Sequence, residues 1–150
     1  MFEQHLISAA VEHVAAVSRS DWRAYRESLA PECTYEEKGT DRRLAGADAV
    51  VRAVSGWKQP FSDLKGTVTN RLAVGNMVVL EVTWEGTFNG LMATPFGTLP
   101  PTGRRGSVDA VLVYRFRDGL VVEARHYFDL LTVLAQTGAM PQVQAPVPVS

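Results

Sequence analysis

The stretch that decides the fold is residues 107–128, SVDAVLVYRFRDGLVVEARHYF. It contains two runs rich in Val, Tyr and Phe, residues 107–117 and Leu120–Phe128, which are joined by Asp118-Gly119. An Asp-Gly pair between two such runs is typical of a tight hairpin turn. The sequence therefore predicts two long antiparallel strands here.

Alternation along these strands separates an inner face from an outer face. The second run places on one side Leu120, Val122, Ala124, His126 and Phe128, and on the other Val121, Glu123, Arg125, Tyr127 and Asp129. The matching face of the first run carries Val108, Ala110, Leu112, Tyr114 and Phe116. His126 is thus the one strongly ionisable group on the two inner faces, and a neutral imidazole in an apolar pocket can take a proton from carbon or water. Its alternative role is a core histidine satisfied by a backbone carbonyl.

The rest of the chain predicts helices first and strands afterwards. Apolar residues recur at helical spacing over residues 2–17 and 47–57, a short helix is predicted over residues 22–29, and a brief extended piece over residues 33–37. Strands are predicted over residues 67–74 and Met77–Thr87, and residues 89–105 form a long Gly- and Pro-rich loop. This order indicates an α+β fold, in which three N-terminal helices cover one face of a curved, mainly antiparallel sheet shaped like a cone. We expect one domain over residues 1–138 and a flexible tail over residues 139–150.

Composition excludes several classes of function. The chain has 150 residues and a net charge of −1, too little positive charge for a dedicated nucleic-acid binder. No run of ~18 or more apolar residues is present, so we expect no membrane span. Cys33 is the only cysteine, and no basic segment precedes an apolar stretch at the N-terminus, so we expect a cytoplasmic protein. The spacing of histidines and acids predicts no metal site, and no cofactor is expected.

Three other polar residues are candidates for chemistry. His13 shares a helical stripe with Leu6 and Val17, which directs it either to the same pocket or to solvent. Glu37 ends the extended piece and is expected at the pocket rim, although two adjacent acids are more often a solvated strand end. Asp129 directly precedes a short C-terminal helical pattern, where a carboxylate would accept the first free backbone N–H groups, so we predict a helix cap rather than an acid/base group.

A series of short motifs runs along the chain to Gly138 in a characteristic order. They are Asp21-Trp22, Leu29-Ala30-Pro31-Glu32, Gly46, Gly86-Thr87-Phe88-Asn89-Gly90, Pro100-Pro101-Thr102-Gly103-Arg104, Tyr114-Arg115-Phe116-Arg117-Asp118-Gly119, and the ending from Tyr127-Phe128-Asp129 to Gln136-Thr137-Gly138. In these motifs and their order the sequence resembles the SnoaL-like polyketide cyclases of the nuclear transport factor 2-like superfamily, which share the ketosteroid isomerase fold. The resemblance implies a cone-shaped barrel with an enclosed pocket, a homodimer paired through the sheets, and often cofactor-free chemistry on polycyclic or terpenoid substrates.

The resemblance also assigns site residues, with departures from the family pattern. The acid/base aspartate of the aromatic polyketide cyclases falls on His126, and its partner histidine falls on Leu112. In the ketosteroid isomerases the proton-shuttling aspartate matches Glu37 and the oxyanion-hole tyrosine matches His13, while Phe88 stands where many relatives have histidine. The predicted catalytic residues are thus His126, Glu37 and His13. The predicted substrate-binding residues are Tyr35, Trp57, Trp84, Phe88, Leu112, Tyr114 and Phe128.

Two classes of function remain open at this point. The first is a cyclase or isomerase in which His126 moves an acidic proton next to a carbonyl of an apolar or polycyclic substrate. The second is a non-catalytic module that uses the same cavity for an apolar ligand or for dimerisation. Epoxide hydrolysis ranks below both, because its Asp, Arg, Asp constellation is not recognisable. A dimer is expected because Val111, Val113 and Val121 make the outer sheet face too apolar to leave fully wet.

Overall fold

Helices at the N-terminus and long strands after Gly66 give the α+β architecture that the sequence predicts. The computed structural model describes residues 2–140, so residues 141–150 of the predicted tail lie outside the described residues. The helices are α1 (Phe2–Ser18), α2 (Trp22–Glu27), α3 (Ala47–Ser55) and α4 (Leu130–Gln136), and a 3-10 turn spans Gly56–Lys58. The strands are β1 (Leu29–Glu37), β2 (Arg42–Ala45), β3 (Lys65–Val74), β4 (Met77–Thr87), β5 (Met92–Thr94), β6 (Gly97–Leu99), β7 (Arg105–Arg117) and β8 (Leu120–Phe128).

The six strands of the main sheet follow the order β2-β1-β8-β7-β4-β3. All neighbours are antiparallel except β1 and β8, which run parallel. The mainly antiparallel sheet that the sequence predicts is therefore confirmed, with one parallel pair between β1 and β8. Local patterns reveal strands and turns, whereas the pairing of an early strand with the last one depends on the whole topology.

β1 is longer than the predicted extended piece. The preceding helix ends at Glu27 because the Ser28 hydroxyl donates to the Tyr25 carbonyl oxygen at 2.6 Å and closes the last turn. Leu29 then begins the strand. Along it Cys33, Tyr35 and Glu37 are buried in alternation, so all three point towards the interior.

A bulge in β8 changes which side chains face the core. Arg115 pairs with Glu123 but Phe116 pairs with Val121, so Val122 is inserted without a partner. Val121 is consequently 1% exposed and belongs to the core. The predicted place of Val121 on the outer face is wrong, since an extra residue reverses the alternation.

The helices pack on the concave face of the sheet, where α1 contacts β3 and β4. Buried residues of α1 include Leu6, Ala10, His13 and Val17, so the predicted helical stripe is the buried stripe. Among residues 2–140, no helix is long and apolar enough to span a bilayer.

The predicted loop over residues 89–105 contains the small hairpin of β5 and β6. Phe88 and Met92 fix its base in a second apolar cluster with residues of α4. Gly90 is needed there, because a Cβ would lie 2.0 Å from the Gln59 carbonyl oxygen. The loop is thus attached to the turn that follows α3.

Asp129 caps α4, as predicted. Its Oδ1 accepts the Leu131 N–H at 3.0 Å, and its Oδ2 accepts the Thr132 hydroxyl at 2.9 Å. Because both carboxylate oxygens are used by the helix terminus, Asp129 is occupied as a cap.

Candidate active site

An apolar cavity lies between the helices and the inner face of the sheet. Its volume is about 90 Å³, counted as the space that the centre of a water molecule can occupy. One water needs about 10–15 Å³ on that measure, so the cavity has room for a small organic molecule. Every predicted site residue except Glu37 and Phe88 lines it, namely His13, Tyr35, Trp57, Trp84, Leu112, Tyr114, His126 and Phe128.

Phe88 lies outside this cavity. It is fully buried in the second apolar cluster, where its ring centroid is 5.8 Å from that of Phe61. No surface of Phe88 is left for a ligand in this arrangement. Its place in the structure is that of an anchor for the loop that follows.

Both ring nitrogens of His126 are hydrogen-bonded. The Trp84 indole N–H donates to Nε2 at 3.1 Å, and Nδ1 lies 2.9 Å from the Tyr35 hydroxyl oxygen. An indole N–H can only donate, so Nε2 must accept and the proton of the neutral ring must be on Nδ1. The alternative of a bond to a backbone carbonyl is not what the structure shows.

The environment keeps the His126 ring neutral. Burial lowers the pKa of His126 to about 4, and the Glu37 carboxylate opposes this effect. The neighbouring Tyr35 stays protonated, because burial and then the charge of Glu37 raise the pKa of its phenol. His126 therefore donates from Nδ1 to Tyr35, and Tyr35 donates onward to Glu37 at 3.0 Å.

Glu37 is buried behind this chain and not at the pocket rim. It is 0% exposed, and in the sheet it pairs with Arg42 on one side and with His126 on the other. Tyr35 and the Trp57 indole donate to its Oε2, the latter at 2.9 Å. Thr40 and Arg42 donate to its Oε1, with the Arg42 Nη2 at 2.8 Å. With four donor side chains, Glu37 can act only through Tyr35 and has no contact with the cavity.

His13 has one free nitrogen. Its Nδ1 lies 2.6 Å from the Ser28 hydroxyl oxygen, whose own proton goes to the Tyr25 carbonyl, so Nδ1 carries the hydrogen and donates. Nε2 has no partner in the described residues. Every side-chain nitrogen or oxygen in these residues that is fully shielded from water does have a partner. Nε2 must therefore keep some accessible surface, and that surface faces the cavity that His13 lines. Burial lowers the pKa of His13 to about 3, so this lone pair is not protonated near neutral pH.

Sequence reasoning did not identify Tyr25, which also lines the cavity. Its ring stacks on His13 with centroids 4.1 Å apart, and Tyr114 meets the other side of His13 edge-on at 5.2 Å. A six-residue helix is too short for periodicity to reveal its buried side, so Tyr25 gave no signal of its own. The partners of Glu37 on the turn and on β2 were missed because they depend on pairing.

Residues 2–140 contain no group of three or more His, Cys, Asp or Glu side chains arranged to hold a metal ion. Cys33 is buried and unpaired, and burial raises the pKa of its thiol. The ionisable side chains that line the cavity are those of His13, Tyr25, Tyr35, Glu85, Tyr114 and His126.

Comparison with known proteins gave one family and several similar folds. The family described as SnoaL-like polyketide cyclase matches residues 8–137. AclR from Streptomyces galilaeus, provisionally described as a hydroxylase, superposes with a TM-score of 0.79 at 26% identity, covering 95% of this chain and 90% of AclR. TsrD from Streptomyces laurentii gives a TM-score of 0.76 at 26% identity, covering 90% of this chain and 96% of TsrD. A search of curated protein sequences gave no match.

A further similar structure shows the fold alone. IdmH from Streptomyces antibioticus, provisionally described as a polyketide cyclase, has a TM-score of 0.76 at 24% identity and covers 87% of this chain and 96% of its own.

Proposed function

The chain belongs to the SnoaL-like polyketide cyclase family, and on that premise we propose that it is a cofactor-independent cyclase or isomerase of a polyketide-like or other polycyclic carbonyl compound. His126 acts as the general base in the apolar cavity. The observation that supports this most directly is the hydrogen-bonded chain from His126 through Tyr35 to Glu37.

The hydrogen bonds from His126 to Tyr35 and from Tyr35 to Glu37 orient the imidazole so that it can receive a proton. Nδ1–H is fixed towards Tyr35, so the incoming proton must arrive at Nε2, the nitrogen on the side of Trp84. The positive charge of the imidazolium is then stabilised by the Glu37 carboxylate through the Tyr35 hydroxyl. Glu37 and Tyr35 are positioning residues in this scheme, because they act through His126.

The base becomes available when the substrate displaces the Trp84 N–H. That hydrogen bond stabilises the neutral ring, so losing it raises the basicity of Nε2. Trp84 itself lines the cavity, which allows the same ligand to move the indole and approach the imidazole.

The reaction begins at a C–H bond next to a carbonyl. The C–H electron pair becomes the enolate as the proton passes to Nε2. In a cyclase the enolate carbon then attacks a second carbonyl to close a ring, and the alkoxide that forms takes the proton back from Nε2. In an isomerase the enolate is conjugated with a double bond, and Nε2 returns the proton to the far carbon of that system, which shifts the double bond. The apolar lining excludes water and strengthens each polar contact on this path.

The exchange of acidic C–H hydrogens tests the base without the natural substrate. Purified protein is incubated with 2-tetralone in D₂O, and deuterium uptake at the α-carbon is followed by NMR. We expect the wild type to accelerate exchange and His126→Ala to lose about 10²–10⁴ of that acceleration, as is usual for a general base. His5→Ala, which changes an exposed histidine of α1, is the matched control. Unchanged exchange in His126→Ala would remove this residue from the mechanism.

One observation favours the second candidate function, a non-catalytic binding module. Both nitrogens of His126 already have partners, as in a histidine that serves structure alone. On this reading the wild type binds ligand but does not accelerate exchange. Native mass spectrometry of the purified protein identifies a bound small molecule. That compound can then be used to measure ligand binding and α-hydrogen exchange.

We also propose that two copies pair through the outer face of the sheet. Val111 and Val113 are half-buried there, beside the ion pairs of Glu123 with Arg115 at 3.4 Å and with Arg125 at 2.6 Å. Such a mixed surface suits a subunit interface. Sedimentation equilibrium at micromolar concentration should give twice the 16.4 kDa chain mass, and a single species at the chain mass would count against pairing.

A further inference from the structure

Three polar atoms at the α1 and α2 side of the cavity have no hydrogen-bond partner in residues 2–140. They are His13 Nε2, Tyr25 Oη and Tyr114 Oη. Each residue is at most 3% exposed, and each lines the cavity. Within residues 2–140 every side-chain nitrogen or oxygen that is fully shielded from water has a hydrogen-bond partner, so these three unpartnered atoms must keep accessible surface, and that surface faces the cavity. In a largely apolar site, a polar group of the ligand contributes most to binding and orientation when it forms a hydrogen bond with such unpartnered atoms.

The hydrogen-bonding roles of these atoms are fixed by their surroundings. Ser28 holds the proton of His13 on Nδ1, so Nε2 can only accept. Burial raises the pKa of both phenols, and the Tyr114 phenol adds to this effect for Tyr25, so each hydroxyl keeps its proton and can donate or accept. The cluster therefore offers one obligate acceptor beside two hydroxyl groups.

We infer that this cluster recognises an acidic hydroxyl of the substrate, phenolic or enolic, which donates to His13 Nε2 and accepts from a tyrosine O–H. A carbonyl oxygen does not meet the same requirement, because it brings no hydrogen and would leave Nε2 buried without a partner. A phenolic or enolic hydroxyl is favoured over an alcohol because it is the stronger hydrogen-bond donor to the unpartnered Nε2.

The position of the cluster relative to His126 indicates how the ligand lies. Leu112 pairs with His126 across β7 and β8, and Tyr114 is two residues further along β7. Diagonal neighbours of this kind are about 7–8 Å apart, so one fused-ring molecule can reach both. Together with the proposed function, on which this step depends, the substrate is a hydroxylated ketone with its reactive C–H at His126 and its hydroxyl at His13.

The test measures hydroxyl recognition apart from turnover. Equilibrium dialysis compares 2-naphthol, which donates and accepts, with 2-naphthaldehyde, which only accepts, and with 2-methylnaphthalene, which does neither. We expect the wild type to bind 2-naphthol at least tenfold more tightly than either of the other two. His13→Leu should reduce this preference to less than threefold, and Tyr25→Phe and Tyr114→Phe, which remove single hydroxyls and keep the rings, should each reduce it as well.

Two controls isolate the hydrogen bonds. Val54→Ala changes an apolar lining residue, so it should weaken the three ligands alike and keep the preference. His126→Ala should also keep the preference, even though it abolishes α-hydrogen exchange if the proposed function is correct. The inference is overturned if wild-type protein shows no preference for 2-naphthol, or if the preference survives in His13→Leu and in both tyrosine variants.

Discussion

Replacing Glu37 by Gln tests the buried relay with little change of shape. The amide has one oxygen and one nitrogen, so it can accept from only one of the two donor pairs that Glu37 now serves. The pair on Oε2 is Tyr35 and Trp57, and the indole N–H of Trp57 cannot reverse its role. The pair on Oε1 is Thr40 and Arg42, of which the hydroxyl can turn and accept. We therefore expect the amide nitrogen to face Thr40 and Arg42.

The magnitude follows from that orientation. The Arg42 side chain is 42% exposed and can turn towards water, so its charge stays solvated in the variant. Because the Thr40 hydroxyl can turn and accept, what is lost is the one charge-assisted contact with Arg42, and a hydrogen bond to a charged group contributes about 1.5–3 kcal/mol. We expect Glu37→Gln to lower the free energy of unfolding by about 1.5–3 kcal/mol. Because the negative charge is also lost, α-hydrogen exchange should fall even where the protein is fully folded.

Urea denaturation gives the stability, and exchange of 2-tetralone in D₂O gives the activity. The matched control is Glu36→Gln, since Glu36 is the adjacent acid but pairs at the surface with Lys38 and Arg43. Its substitution should leave both measurements unchanged within error, as is usual for surface ion pairs. Equal effects of the two substitutions, or normal exchange in folded Glu37→Gln, would refute the relay.

Three further predictions follow from other contacts. Trp84→Phe removes the N–H that stabilises the neutral His126 ring, so NMR titration should show the pKa of His126 rising from about 4 by up to ~1 pH unit; a pKa at or below its original value would contradict this. Asp129→Ala should lower the free energy of unfolding by ~0.5–2 kcal/mol, and Asp129→Asn should recover most of it without loss of exchange activity. The unfolding free energy should also fall as the pH decreases from about 6.5 towards 4, because the unfolded chain binds protons at His13 and His126 that the folded protein does not bind. A midpoint of urea denaturation that does not change over this pH range would argue against buried neutral rings.

The parts of the fold that depend on local pattern could be predicted from the sequence. The stripe of α1 and the alternation in β4 and β7 are strong local signals, and the Asp118-Gly119 turn lies where expected. β2 was missed because four mostly exposed residues show no alternation and are ordered only by pairing with β1. Val121 was misplaced because a bulge, which reverses the alternation, has no clear signal in the residues that form it.

The candidate site also has features that local sequence patterns predict and features that they do not. The inward direction of His126 and the capping role of Asp129 followed from alternation and from the start of a helix. The burial of Glu37 could not be predicted, because its four donors come from separate segments that only the folded sheet brings together. The tautomer of His13 depends on the Ser28 hydroxyl, and a contact between α1 and the end of α2 is invisible in either segment alone.

The parallel pairing of β1 with β8 also determines when the site can exist during synthesis and folding. Tyr35 and His126 are 91 positions apart in the chain, and their strands are direct neighbours in the sheet. Closing so large a loop costs conformational entropy, and proteins rich in contacts between distant parts of the chain fold more slowly. Before the last strand has left the ribosome, Glu37 and Tyr35 have no imidazole to orient, and β1 has an open edge. Proton transfer at His126, as proposed above, is therefore unavailable until the final strand is in place.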